Sequence, residues 1–126
     1  MTNSPLHDFL IRIKNGYLAG RLTVTAPTSK VKVALSEVLK KNDFIDGFSV
    51  EDRTLTVNLQ YDHREPKLTS VSFFSTPGRR VYHRVTSLPW GKTNHSLIIV
   101  STSKGFMSQR QAVKAHLGGE VIAEIY

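Results

Sequence analysis

The sequence predicts an α/β fold of the α+β kind in two small lobes. An N-terminal α-β-α-β-β lobe is expected at 1–75 and a C-terminal, mainly β lobe with one short helix at 76–126. Three observations predict this. Apolar residues recur at helical spacing twice in the first third of the chain and then give way to period-two alternation. The turn signal Thr76-Pro77-Gly78 marks a joint beyond which the charge pattern changes. Leu97, Ile98, Ile99 and Val100 form the continuous branched apolar run of a strand buried on both faces. The length of 126 residues suits one domain, or two lobes sharing a core.

The elements follow in order. Ser4 suits an N-cap and Pro5 the first helical position; Leu6, Phe9, Leu10, Ile13 and Tyr17 then repeat with helical period up to Gly16 or Gly20. Residues 21–26 alternate as a short strand that Pro27 stops. Thr28 or Ser29 can cap a second helix with Val31, Ala34, Leu35, Val38 and Leu39 on its apolar face and Lys40 and Lys41 at its end. Lys30 and Lys32 fall in its first turn, where the helix dipole disfavours cations and a bound anion would compensate them. Residues 44–50 and 54–61 read as a hairpin, its second arm placing Leu55, Val57, Leu59 and Tyr61 on one face. A charged loop at 62–66 and a strand at 68–74 lead to the joint. Beyond it lie an alternating strand at 79–85, the buried run, and a short helix capped by Ser108 with Gln111. Gly118-Gly119 is expected to end that helix before a last strand at 120–126.

Charge sharpens the division. Residues 1–63 hold eight basic and seven acidic side chains, a net of +1, whereas residues 64–126 hold nine and three, a net of +6. A one-signed field of this size attracts a polyanion, and nucleic acid is the commonest one inside cells; a basic surface kept only for solubility is the plainer alternative. The chain has no cysteine, which excludes disulfides, thiolate metal sites and cysteine nucleophiles and fits a reducing compartment. No apolar run approaches a membrane span, and the first residues lack an export signal, so a soluble, unexported protein is expected.

Two stretches carry chemistry. The buried run delivers Ser101-Thr102-Ser103-Lys104-Gly105: three hydroxyls, a point charge, and a glycine that lets backbone approach a ligand. Such a tip suits phosphate oxygens and ribose hydroxyls, although the same residues also make an ordinary polar loop. In the strand at 79–85, Val81, His83 and Val85 share a face with Arg79, and Arg80, Tyr82 and Arg84 share the other. That second face offers an aromatic between two guanidinium groups, for stacking or simply for solvent. Catalysis finds no support. Gly91-Lys92-Thr93 lacks the first glycine of a phosphate loop, which would fall at Thr86. Ser101 and Lys104 have the spacing of a serine-lysine nucleophile but end a strand instead of starting a helix. The five histidines show no paired ligand spacing. No catalytic residue, metal site or cofactor is expected.

The chain also resembles a known family. Ser101-Thr102-Ser103-Lys104-Gly105, then Gly118-Gly119-Glu120-Val121-Ile122-Ala123 and a terminal aromatic, is similar to the signature of the small-subunit ribosomal protein eight family, bacterial type. Asp8-Phe9-Leu10-Ile11-Arg12-Ile13-Lys14-Asn15, Pro27-Thr28-Ser29-Lys30-Val31-Lys32 and Pro77-Gly78-Arg79-Arg80-Val81-Tyr82 agree in the same order. The resemblance implies a non-catalytic protein of two lobes whose C-terminal lobe grips an internally looped helix in the central domain of 16S-type ribosomal RNA and aids subunit assembly. It places RNA contacts at Ser101, Thr102, Ser103, Lys104, Gly105, Gly118, Gly119, Glu120 and Tyr82, with Ser29, Lys30 and Lys32 as a second contact in the N-terminal lobe. From the residues themselves, Arg79, Arg80, Arg84, Lys104, Arg110 and Lys114 are expected to supply the phosphate contacts. It further implies neighbouring small-subunit proteins as partners, an RNA mimic in the chain's own operon mRNA in some members, no membrane or small-molecule substrate, and a cytoplasmic ribosome, an organellar one staying open.

One departure stands out. The family places Gly-x-Gly before the central strand, where this chain has Asn94-His95-Ser96. The reading of a different class is a basic interaction module that binds single-stranded nucleic acid or an acidic protein with the same charge.

Overall fold

A computed structural model describes residues 5–91 and 95–126. The expected cap at Ser4, and Lys92, Thr93 and Asn94, lie outside the described residues. Contacts divide the chain into two units, Met1–Ser70 and Val71–Tyr126.

In the first unit, helix α1 (Pro5–Leu18) buries Phe9, Leu10, Ile13 and Tyr17, the stripe its apolar spacing requires. It packs on strand β1 (Thr23–Pro27) and on helix α2 (Lys30–Lys41), and α2 packs also on β2 (Gly47–Glu51). The sheet has the order β1-β3-β2, all antiparallel, with β3 (Thr54–Asn58) in the middle and its Leu55 and Val57 fully buried. Gly16 lets α1 approach this sheet closely, because a Cβ there would strike Val24 Cγ2. The Tyr17 hydroxyl donates to Phe44 O at 2.6 Å and accepts from Gln60 N–H at 2.9 Å, so one phenol ties the helix to the segment before β2 and to the segment after β3. Burial pushes its pKa from 10.0 up to about 12. Val31, expected on the apolar face of α2, is 39% exposed; it lies in the first turn, beyond the part of the helix that is covered.

Of two tight hairpins in this unit, one differs from the sequence reading and one agrees with it. The segment 62–66 is not an open loop but a hairpin of β4 (Tyr61–Asp62) and β5 (Glu65–Pro66), turning on His63 and Arg64 at φ 51° and 72°. The β2–β3 hairpin likewise turns on two residues of positive φ, Asp52 and Arg53. Both turns have the left-handed geometry that matches strand twist, made here without glycine.

The second unit is a sheet ordered β6-β10-β8-β9, with β7 also paired to β10. Its strands are β6 (Val71–Phe73), β7 (Tyr82–His83), β8 (Leu97–Thr102), β9 (Gly105–Ser108) and β10 (Gly119–Ile125). Because β6 pairs with β10, the division between units precedes the turn at Thr76-Pro77-Gly78, which is closed by reciprocal bonds between Thr76 and Arg79. The run Leu97 to Val100 is buried throughout, as an interior strand demands. Helix α3 (Gln109–Lys114) packs on β8 and β9, and Leu88, Ile98, Val100, Ala112 and Val121 form the core between them, flanked by Phe74, Val85, Met107 and Val113. The expected strand at 79–85 pairs only at Tyr82–His83 and then becomes a 3-10 turn at Val85–Ser87. At the family's glycine-rich position, Ser96 rests against Gly91, where an added Cβ would lie 2.6 Å from the Ser96 Cβ.

All three helices stop in the same way. The residue two beyond each C-cap-preceding turn sends its N–H back to the last full turn: Arg21 to Gly16 O, Phe44 to Leu39 O, and Leu117 to Ala112 O. The left-handed residue is Gly20 in the first case, but Asp43 and His116 in the others, at φ 64° and 57°. Gly118-Gly119 therefore does not end α3, contrary to expectation. His116 has already done so.

Candidate nucleic-acid interface

The register of the second sheet assembles the site. Tyr82 on β7 lies opposite Glu120 on β10, Glu120 lies opposite Ser101 on β8, and Ser101 lies opposite Phe106 on β9. Directly opposed residues of antiparallel strands project to one face, so these four side chains form a row across the sheet. The next rung, Val121, Val100 and Met107, belongs to the core beneath α3. The row is thus on the face away from α3.

Its members differ in exposure. Tyr82 is 67% exposed, whereas the Glu120 side chain is 13% exposed and pairs with Arg80, Nη1 to Oε1 at 3.4 Å. From Arg80 to Val85 the expected alternation holds: Arg80, Tyr82 and Arg84 are exposed, and Val81, His83 and Val85 are half-buried. Arg79 departs from it, being exposed beside the Thr76–Arg79 turn instead of packed with Val81.

The polar tip is a two-residue hairpin, with Thr102 opposite Gly105 and Ser103-Lys104 at the apex. Gly105 takes φ 108°, a conformation open to glycine at little cost. The Thr102 hydroxyl donates to Gly105 O at 2.8 Å and accepts from Lys104 N–H at 3.1 Å, so it is committed to building the turn. The three hydroxyls read as a set in the sequence are therefore not equivalent. Ser101 and Ser103 spend theirs on no partner among the described residues, and Ser103 is exposed with Lys104 exposed beside it.

Gly118 and Gly119 stand behind this tip for steric reasons. A Cβ on Gly118 would lie 2.6 Å from His83 O and 2.9 Å from Arg84 Cα, and one on Gly119 would strike Ser101 O. The pair lets the segment after β7 and the end of β8 close on the start of β10, which sets Tyr82, Glu120 and Ser101 side by side. Ser75, unmarked in the sequence, serves the same end: buried, it donates to Val121 O at 2.7 Å and accepts from Val81 N–H at 2.9 Å. It pins β10 where its register with β8 shifts between Val121 and Ala123. Phe106 was missed as well. A reading of 101–108 as a hairpin would have placed it opposite Ser101.

Ser29, Lys30 and Lys32 belong to the first unit, at the start of α2. The Ser29 hydroxyl accepts from Lys32 N–H at 3.2 Å as the helix cap, and Lys32 Nζ donates to Pro27 O at 2.8 Å. Lys30 alone of the three is exposed. Among the described residues no three histidines, aspartates or glutamates cluster to hold a metal, and no helix is long and apolar enough to cross a membrane.

Residues 4–126 match the family model described as ribosomal protein S8. The small ribosomal subunit protein uS8 of Rhodospirillum centenum is 37% identical over 129 residues, covering 98% of each chain. The chain therefore belongs to the ribosomal protein S8 family, whose members are structural proteins of the ribosome and not enzymes.

Proposed function

We propose that this chain is a constituent of the small ribosomal subunit that binds an internally looped helix in the central domain of 16S-type ribosomal RNA and helps that domain assemble. The observation that carries this reading is the row Tyr82, Glu120, Ser101 beside the free hydroxyl and ammonium of Ser103 and Lys104. A regular RNA helix keeps its major-groove edges out of reach, so recognition falls on ribose hydroxyls, phosphates and bases unstacked at an internal loop. Ser101 and Ser103 bond ribose and phosphate oxygens, Tyr82 stacks on an exposed base or ribose, and the Glu120 carboxylate accepts from a base amino group. Arg79, Arg84, Lys104, Arg110 and Lys114 supply the salt-dependent part, each phosphate contact adding roughly one to the slope of log affinity against log salt. Lys30 at the start of α2 gives the first unit its own contact with the RNA. Neighbouring small-subunit proteins and an RNA mimic in the chain's own messenger are further partners, in the cytoplasm.

Binding to the looped helix and to a perfectly paired helix of equal length, each over a salt series, tests this. Tight binding to the first that persists as salt rises, with weaker and steeper binding to the second, is expected. Equal affinities with equal slopes would leave only a polyanion binder.

A further inference from the structure

An ion pair, Arg80–Glu120, touches the row, and it raises a question of role. An acid on a surface built for a polyanion repels it, unless its charge is met. Glu120 lies opposite both Tyr82 and Ser101, and its side chain is 13% exposed, so the carboxylate sits in the sheet surface and does not swing in solvent. Arg80 lies two residues before Tyr82, on the same side of the alternation, and reaches diagonally across to Glu120. The Arg80 side chain is 58% exposed. Arg79 and Arg84, by contrast, are exposed and pair with no acidic side chain among the described residues.

Resting on the reading above, we infer that Arg80 is a positioning residue for Glu120 and not a phosphate contact: it fixes the carboxylate between Tyr82 and Ser101 and cancels its charge, and so lets the face demand a base amino group there. The pair is electrically neutral, so it displaces no counterion from the RNA and adds nothing to the salt slope. Its contribution is to selectivity. A carboxylate only accepts hydrogen bonds, so it favours the exocyclic amine of an unstacked adenine, cytosine or guanine over a uracil, whose single N3–H donor is flanked by two carbonyl oxygens that the carboxylate repels. Without Arg80 the same carboxylate would be free to rotate away from the row and out into solvent.

The test uses the full chain with Arg80→Gln, Glu120→Gln and the double substitution, each titrated with the looped and the paired helix over a salt series. Arg80→Gln is expected to weaken binding to the looped helix roughly five- to tenfold and to erase most of the preference, with the slope unchanged within about 0.3. Glu120→Gln frees Arg80 for a phosphate and is expected to steepen the slope by about one. The double substitution should be no weaker than either single one, since both remove the same arrangement. A slope reduced by about one in Arg80→Gln, with both helices weakened equally and an additive double variant, would make Arg80 an ordinary phosphate contact and overturn the inference. A wild-type chain that does not prefer the looped helix would overturn both this inference and the reading beneath it. Failure of the inference alone shows as a changed slope with the wild-type preference intact. Thermal melting of each variant, expected within a few degrees of wild type, excludes misfolding as the cause.

Discussion

Serine and lysine occur together at two places, and the two units use them in opposite ways. At the start of α2, Ser29 caps the helix and Lys32 reaches back to Pro27 O, so both are spent on holding the first unit together. At the β8–β9 tip, Thr102 alone builds the turn, and Ser103 and Lys104 are left exposed with nothing to do in the folded chain. The same residue types thus hold structure in one unit and are left open to solvent in the other. Composition cannot separate these cases. The hydrogen-bond ledger of each hydroxyl can.

The comparison is broken most severely by removing what holds the tip in place. Gly119→Ala puts a methyl group onto Ser101 O, backbone against backbone with no flexible side chain to yield. We expect a loss of about 3 kcal/mol or more in stability, read by denaturant unfolding, together with loss of RNA binding. Gly78→Ala, which meets nothing within 4 Å and carries no left-handed φ, is the control and should be nearly silent. An equally mild effect at Gly119 would mean that the strands can separate freely, and the row would then not depend on the glycine pair.

How far the sequence shows this arrangement depends on the period of each signal. The apolar stripes of α1 and α2, the caps at Ser29 and Ser108 and the buried run of β8 were legible because each repeats or sits at a fixed offset within a few residues. The hairpins at 62–65 and 102–105 were not, since neither has glycine at the centre of its turn, where the usual signal lies. The end of α3 was misplaced because His116 takes the left-handed position that Gly118 advertised. The row itself joins residues from 82 to 120 through strand register. That is fixed by Ser75 and by the shift in β10, which no local pattern announces.

In the first unit, Tyr17 offers an intermediate case, a hydroxyl spent twice over. Tyr17→Phe leaves Phe44 O and Gln60 N–H without their partner and should cost about 1–3 kcal/mol, measured as a lower denaturation midpoint. The cost also depends on pH. The folded pKa is raised from 10.0 to about 12, so the stabilisation is fully present below pH 10 and is lost as pH rises through about 12, at up to about 1.4 kcal/mol per pH unit. Between pH 10 and 12 the wild type should therefore lose stability faster than Tyr17→Phe. Parallel curves would show that the phenol titrates alike in the folded and unfolded chain.

The smallest effects sharpen the comparison most, because they should fall on different axes. Ser29→Ala removes the α2 cap and is expected to lower stability by about 1 kcal/mol. Its effect on binding to the looped RNA helix should be slight, since the hydroxyl already accepts from Lys32 N–H and contributes to the helix before any ligand arrives. Ser103→Ala should do the reverse. No hydrogen bond within the folded chain is lost, so unfolding is unchanged within about 0.5 kcal/mol, while a ribose or phosphate oxygen at the interface loses its donor and binding weakens by about 1 kcal/mol or more. Thr102→Ala lies between them, because losing its bonds to Gly105 and Lys104 loosens the turn that presents Ser103. If Ser103→Ala altered stability and left binding untouched, the tip would be structural like the start of α2, and recognition would have to rest on Tyr82 and Glu120 alone.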